Sequence, residues 1–93
     1  MDKVRKRDRI SVIYDILTIV RDHQNSIKPT PLLRYSNLSS NSFSDYYKEL
    51  VSKELIKEVK DKKGKKYVTL TDKGFLFLEK YKLILGFIDE FEL

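Results

Sequence analysis

The stretch that decides the fold is LIKEVKDKKGKKYVTLTDKGFLFLEKY, residues 55–81. Within it, Tyr67-Val68-Thr69-Leu70-Thr71 is rich in β-branched and aromatic residues, the composition of a strand. Leu55-Ile56-Lys57-Glu58-Val59-Lys60 alternates less cleanly, but the turn Asp61-Lys62-Lys63-Gly64-Lys65-Lys66 separates the two segments. Two short strands around a basic, glycine-containing turn predict a hairpin. Thr71 or Asp72 is placed to cap a long final helix over about residues 73–91.

Working outward, Ile10, Ile13, Leu17 and Val20 recur at three and four residues, with Tyr14 and Ile16 widening the stripe. This spacing predicts an amphipathic helix over about residues 7–21, ended by Asp22, Asn25 and Ser26. Ile27-Lys28 is short strand material. A second helix starts near Thr30, with Pro31 tolerated in its first turn, buries Leu32 and Leu33, and stops at Ser36-Asn37. Ser39 or Ser40 caps a third helix reaching about Lys53, with Phe43, Tyr47, Leu50 and Val51 inward and Asn41, Ser44, Asp45 and Lys48 outward. Three helices, a hairpin and a long helix predict a mainly α fold with a β-hairpin. The arrangement expected is a winged helix-turn-helix, whose third helix docks in the major groove of DNA.

The 93 residues suffice for one small core, and 41% hydrophobic content argues against a disordered tail. Absence of cysteine excludes a disulfide framework, a thiolate zinc site and a cysteine nucleophile. No secretory signal core and no membrane-spanning apolar run is present, so a cytoplasmic location is expected. The net charge is +5, unevenly spread. Residues 1–73 hold 17 basic and 10 acidic groups, whereas residues 74–93 hold two basic and four acidic ones. The positive part is expected to attract a polyanion.

The chain resembles an archaeal family of small chromatin-associated winged-helix proteins, the Sulfolobus ten-kilodalton DNA-binding protein type. The resemblance is carried by the basic entry into Ile10–Val20, by YSNLS (35–39), YYKEL (46–50) and ELI (54–56), and above all by YVTLTDKGFLFLEKY (67–81). It implies a nucleoid-associated homodimer that binds double-stranded DNA without cofactor or enzymatic activity, its C-terminal helices paired in an antiparallel coiled coil. It also implies a DNA-facing helix after Asn37-Leu38-Ser39, presenting Ser40, Asn41, Ser44, Asp45 and Lys48. Two departures stand out. Lys53-Glu54 precedes Leu55-Ile56 where related proteins often carry glycine, and the acidic Asp45 lies on the recognition surface.

Individual residues point to the same chemistry. Lys62, Lys63, Lys65 and Lys66 around Gly64 are suited to the minor groove or flanking phosphates. Asn41 and Lys48 are able to hydrogen-bond base edges, while Ser40, Ser44, Tyr46 and Tyr47 are suited to phosphate or sugar. Lys3, Arg5, Lys6, Arg7 and Arg9 form either a basic arm or a first helical turn, where cations oppose the helix dipole, so phosphate contact is the preferred reason for them. Arg34 is a further phosphate candidate. This lysine-dominated set suits low sequence specificity, in chromatin organisation or transcriptional regulation. The competing readings are a sequence-specific repressor and a protein-interaction module that ignores DNA.

In the final helix, Phe77, Tyr81, Ile84, Ile88 and Phe91 repeat at four, three, four and three, the seam of a coiled coil. Leu78 and Leu85 broaden the seam, and Phe75, Leu76 and Leu83 are expected to face the domain. Charges at Glu79, Lys80, Lys82, Asp89 and Glu90 oppose a membrane role. The chain thus divides into a DNA-binding domain, residues 1–71, and a dimerisation helix, residues 72–93. No catalytic or metal-binding residues are expected: His23 stands alone, without an acidic motif or a phosphate loop. Neither a membrane nor a small-molecule substrate is expected as a partner.

Overall fold

The computed structural model describes residues 8–93. Asp8 caps the first helix, α1 (Arg9–Asp22), its carboxylate accepting from the Ser11 N–H at 2.8 Å. Of the apolar stripe that the spacing predicts, Ile13, Ile16, Leu17 and Val20 are buried and Tyr14 is half-buried; Val12 joins them, whereas Ile10, in the first turn, is exposed at 43%. Gln24 and Asn25 then turn the chain through left-handed backbone, which asparagine tolerates better than most residues. The Asn25 side chain accepts from the Leu70 N–H at 2.7 Å, tying this turn to the hairpin.

Helix α2 (Pro29–Ser36) begins at a proline, whose missing N–H would be unpaired there in any case. Leu32 is fully buried, and Asn37 ends the helix in left-handed conformation. Ser39 caps α3 (Ser40–Ser52) by accepting from the Ser42 N–H at 3.1 Å. Phe43 and Leu50 are buried. Val51, expected inward, is instead exposed, because the chain leaves the helix here and Leu55 and Ile56 fill the core beneath it. The exit is a Schellman turn: the Leu55 N–H donates to Leu50 and the Glu54 N–H to Val51, with Glu54 at φ 61°.

Strands β1 (Ile56–Lys60) and β2 (Lys66–Leu70) pair antiparallel in the register Ile56↔Leu70, Glu58↔Val68 and Lys60↔Lys66. Ile27 adds a bridge to Val68, the short strand expected there. Alternation places Ile56, Glu58 and Lys60 on one face of the ribbon with Leu70, Val68 and Lys66. That face passes from apolar core to charged surface as the ribbon leaves the domain.

Thr71 caps the last helix, α4 (Asp72–Glu90), accepting from the Gly74 N–H at 3.0 Å. Only its start is packed. Gly74 and Leu78 are buried, Phe77 is half-buried, and Tyr81 rests on Tyr14 with ring centres 4.7 Å apart. Leu78 therefore belongs to the domain core, 4% exposed, and not to an outer seam. Phe75, Leu76 and Leu83, expected to face the domain, point into solvent. The reason is Gly74, which brings one face of the helix against Leu55 and so turns Leu78 inward and Leu76 outward. The core thus runs across residue 72, and the helix beyond Tyr81 projects free, lengthening the molecule to 49 Å against 28 and 22 Å.

Candidate nucleic-acid interface

Helix α3 presents its polar side away from Phe43 and Leu50. Asn41, Asp45 and Lys48 recur at four and three residues, which aligns them on one outward stripe. All three are exposed, and none makes a hydrogen bond or ion pair among the described residues. Ser44, beside them, is half-buried. Ser40 opens the helix and shares a shallow hollow with Thr30, Arg34, Asn37 and Leu38. The fold thereby gathers Arg34 and Ser40 at the turn between α2 and α3, and the Arg34 guanidinium lies 5.9 Å from the Tyr35 ring centre.

Arg9 reaches the opposite flank of α3 and ion-pairs with Glu49, which Lys53 also approaches at 3.5 Å. Its charge is partly committed inside the molecule. The same flank carries Ser42, Asp45 and Tyr46 around Arg9, so Asp45 has a cation for a neighbour. Lys3, Arg5, Lys6 and Arg7 lie outside the described residues.

The hairpin tip is folded by Asp61. Its carboxylate accepts from the N–H groups of Lys63 and Lys65, each at 2.9 Å, while Gly64 supplies the left-handed residue at φ 82°. Lys62, Lys63, Lys65 and Lys66 are consequently exposed around a short, hydrogen-bonded turn. Lys66 also pairs with Glu58 at 3.6 Å.

Glu58 joins the two parts of the surface. One carboxylate oxygen faces Lys66, and the other accepts a hydrogen bond from the Tyr47 phenol of α3. Burial, then the hydrogen bond and the charge of Glu58, push the Tyr47 phenol well above its ordinary titration range. Tyr47 is thus engaged with the hairpin, although its type suggested a phosphate donor. Neither Glu58 nor Lys60 was singled out from the sequence. The strand alternation placing them beyond Ile56 on the inner face was the signal available.

On α4, Ile84 is 51% exposed, Ile88 40% and Phe91 56%, with Leu85 beside them. Phe77 and Tyr81 sit at the base of this stripe, half covered by the domain. Phe87 and Leu93 add exposed apolar surface that the four-three spacing had passed over, and Phe87 lies 4.9 Å from Phe91 between ring centres. No helix among the described residues is long and apolar enough to cross a membrane.

A sequence profile of the winged helix-turn-helix family matches residues 6–87. The chain belongs to the winged helix-turn-helix family. In the terms of that fold, α3 is the recognition helix and the β1–β2 hairpin is the wing. No curated protein matches the sequence. Among solved structures, this winged-helix chain is similar to Sso10a-2, a DNA-binding protein from Sulfolobus solfataricus. The TM-score is 0.72 at 16% identity, covering 92% of this chain and 86% of that one. SSV1 F-93 is similar over 96% of this chain and 99% of its own, with TM-score 0.68 and 25% identity. A mutant of MarR from E. coli, complexed with operator DNA, is matched with TM-score 0.71 and 20% identity over 82% of this chain and 55% of that one.

Proposed function

We propose that this winged-helix protein binds double-stranded DNA as a homodimer, with low sequence specificity, in chromatin organisation or transcriptional regulation. The observation that carries the reading is the exposed outward stripe with Asn41 and Lys48, which make no hydrogen bond or ion pair among the described residues, on a recognition helix tied through Tyr47 and Glu58 to a lysine-tipped wing. Ser40, Ser44 and Arg34 flank the stripe and are assigned to sugar and phosphate; Asn41 and Lys48 are assigned to base edges. Lys62, Lys63, Lys65 and Lys66 act as phosphate charges, joined by Lys3, Arg5, Lys6 and Arg7 from the N-terminal segment and by Arg9 when Glu49 releases it. Such contacts draw their affinity from counterion release and distinguish sequences weakly.

The dimer is assigned to residues beyond the core, where Ile84, Leu85, Ile88 and Phe91 continue the line from Phe77 and Tyr81. An antiparallel pairing of two such helices buries this surface and sets two recognition helices on one assembly. DNA-bound copies would be associated with the nucleoid. The competing reading is a sequence-specific repressor, favoured by Asn41 and Lys48, which have no hydrogen-bond or ion-pair partner among the described residues, and by the likeness to MarR, a protein solved with operator DNA.

Fluorescence anisotropy with a random duplex of about 30 base pairs, from low to physiological salt, tests the proposal. Affinity should fall steeply with salt, and replacing the four wing lysines with Gln should flatten the log–log slope by about one per lost phosphate contact. Failure of the folded protein to bind at the lowest salt would refute the DNA reading and favour a protein-interaction module.

A further inference from the structure

The wing is a two-stranded ribbon that leaves the core after Val68 and Ile56, and such a ribbon has little rigidity of its own. Its inner face becomes charged at the step where it emerges: Glu58 opposite Val68, then Lys60 opposite Lys66. Lys66 is the diagonal neighbour of Glu58, the pairing that brings their side chains together on one face. Tyr47 approaches the same carboxylate from α3. Its ring is anchored on Phe43, 5.6 Å between centres, so its phenol is held from the core side. Tyr47, Glu58 and Lys66 form one continuous link from the recognition helix across the wing to the start of its second strand.

We propose that Tyr47 and Glu58 are positioning residues that hold the wing at a set angle to α3, so that its lysines reach the duplex that α3 enters. This inference rests on the DNA-binding reading above. Neither residue needs to touch DNA. Glu58 is an anion beside a polyanion-binding surface, a poor choice unless its charge serves the protein itself. Satisfied by the phenol and by Lys66, it orients the wing and limits its own repulsion of phosphate. Lys60, on the same face and without a carboxylate partner among the described residues, is left to face outward beside the tip lysines.

The test is Tyr47→Phe, which keeps the ring on Phe43 and removes only the hydroxyl. Binding to the random 30-base-pair duplex at low salt should weaken about three- to tenfold, the worth of one hydrogen bond. The log–log salt slope should also become shallower, because fewer wing lysines are in place. In a background with Lys62, Lys63 and Lys65 changed to Gln, which keeps the Glu58–Lys66 pair, the same substitution should have a much smaller further effect. A Tyr47→Phe protein with wild-type affinity and slope overturns the proposal. So does an equal loss in both backgrounds, which would mean that the hydroxyl acts independently of the wing. Amide hydrogen exchange of the free protein judges the link without DNA: exchange should quicken in 60–66 of Tyr47→Phe while the core of α1 is unchanged. Unaltered exchange there overturns the link even if DNA binds. Absence of duplex binding by the wild type overturns the DNA reading separately.

Discussion

A β-carbon on Gly74 would stand 2.2 Å from the carbonyl oxygen of Leu55, well inside any tolerated contact. The Leu55 carbonyl is fixed because it also accepts from the Thr71 N–H at 3.1 Å. The Thr71 hydroxyl, in turn, donates to the Glu54 carbonyl at 2.6 Å and accepts from the Gly74 N–H. The end of α3, the end of β2 and the start of α4 are thereby welded at a single point. Both the wing and the projecting helix take their direction from it.

Gly74→Ala should therefore destabilise the domain by about 1–3 kcal/mol, the range for overpacking. Gly86, with no heavy atom near its missing β-carbon, should behave oppositely, and Gly86→Ala should raise stability by up to about 1 kcal/mol through helix propensity. Urea denaturation of the two variants checks the pair. Equal losses in both would contradict the packing argument.

Glu54 adopts left-handed backbone at φ 61° in a position where glycine is the comfortable residue. The exit from α3 is thus formed without glycine, at a cost in strain. Glu54→Gly should recover about 0.5–1 kcal/mol, since relief of the left-handed penalty is partly offset by the greater freedom of unfolded glycine. A thermal midpoint that falls in this variant would show that the Glu54 side chain contributes more than its backbone costs.

Leu78 and Ile88 lie ten residues apart on one helix, yet they should fail in different ways. Leu78→Ala should cost about 2–5 kcal/mol of domain stability by opening a cavity in the core. Ile88→Lys, at an exposed position, should leave the domain folded and yield a monomer at tens of micromolar in sedimentation velocity. A dimeric Ile88→Lys protein would remove this part of α4 from the interface.

Tyr47 has a pH signature. Its folded-state titration lies above the ordinary phenol value of 10.0, through burial first and Glu58 second. The folded protein holds the proton longer than the unfolded chain, so the stability this contributes is fully present below about pH 10 and is lost as pH rises through the folded value. The stability gap between wild type and Tyr47→Phe should be flat from neutral pH to about 10 and then narrow. A gap that widens at alkaline pH would contradict the Tyr47–Glu58 bond.

Much of this molecule was legible in the chain by itself. Periodicity of three and four marked α1, turn chemistry marked the exits near Asn25 and Asn37, and the serine and threonine caps at Ser39 and Thr71 stand where expected. These features are local: each depends on backbone sterics and hydrogen bonds within a few residues. The outward stripe of α3 and the lysine tip of the wing were legible for the same reason. Tertiary structure alone decided which way α4 faces, because its apolar residues occupy several sides and only the contact of Gly74 with Leu55 selects Leu78 for the core. It alone joined Tyr47 to Glu58 and Arg9 to Glu49, contacts between different elements, eleven and forty residues apart, that no local pattern encodes. Local interactions set the elements, and long-range packing set their angles and the side chains left free for a partner.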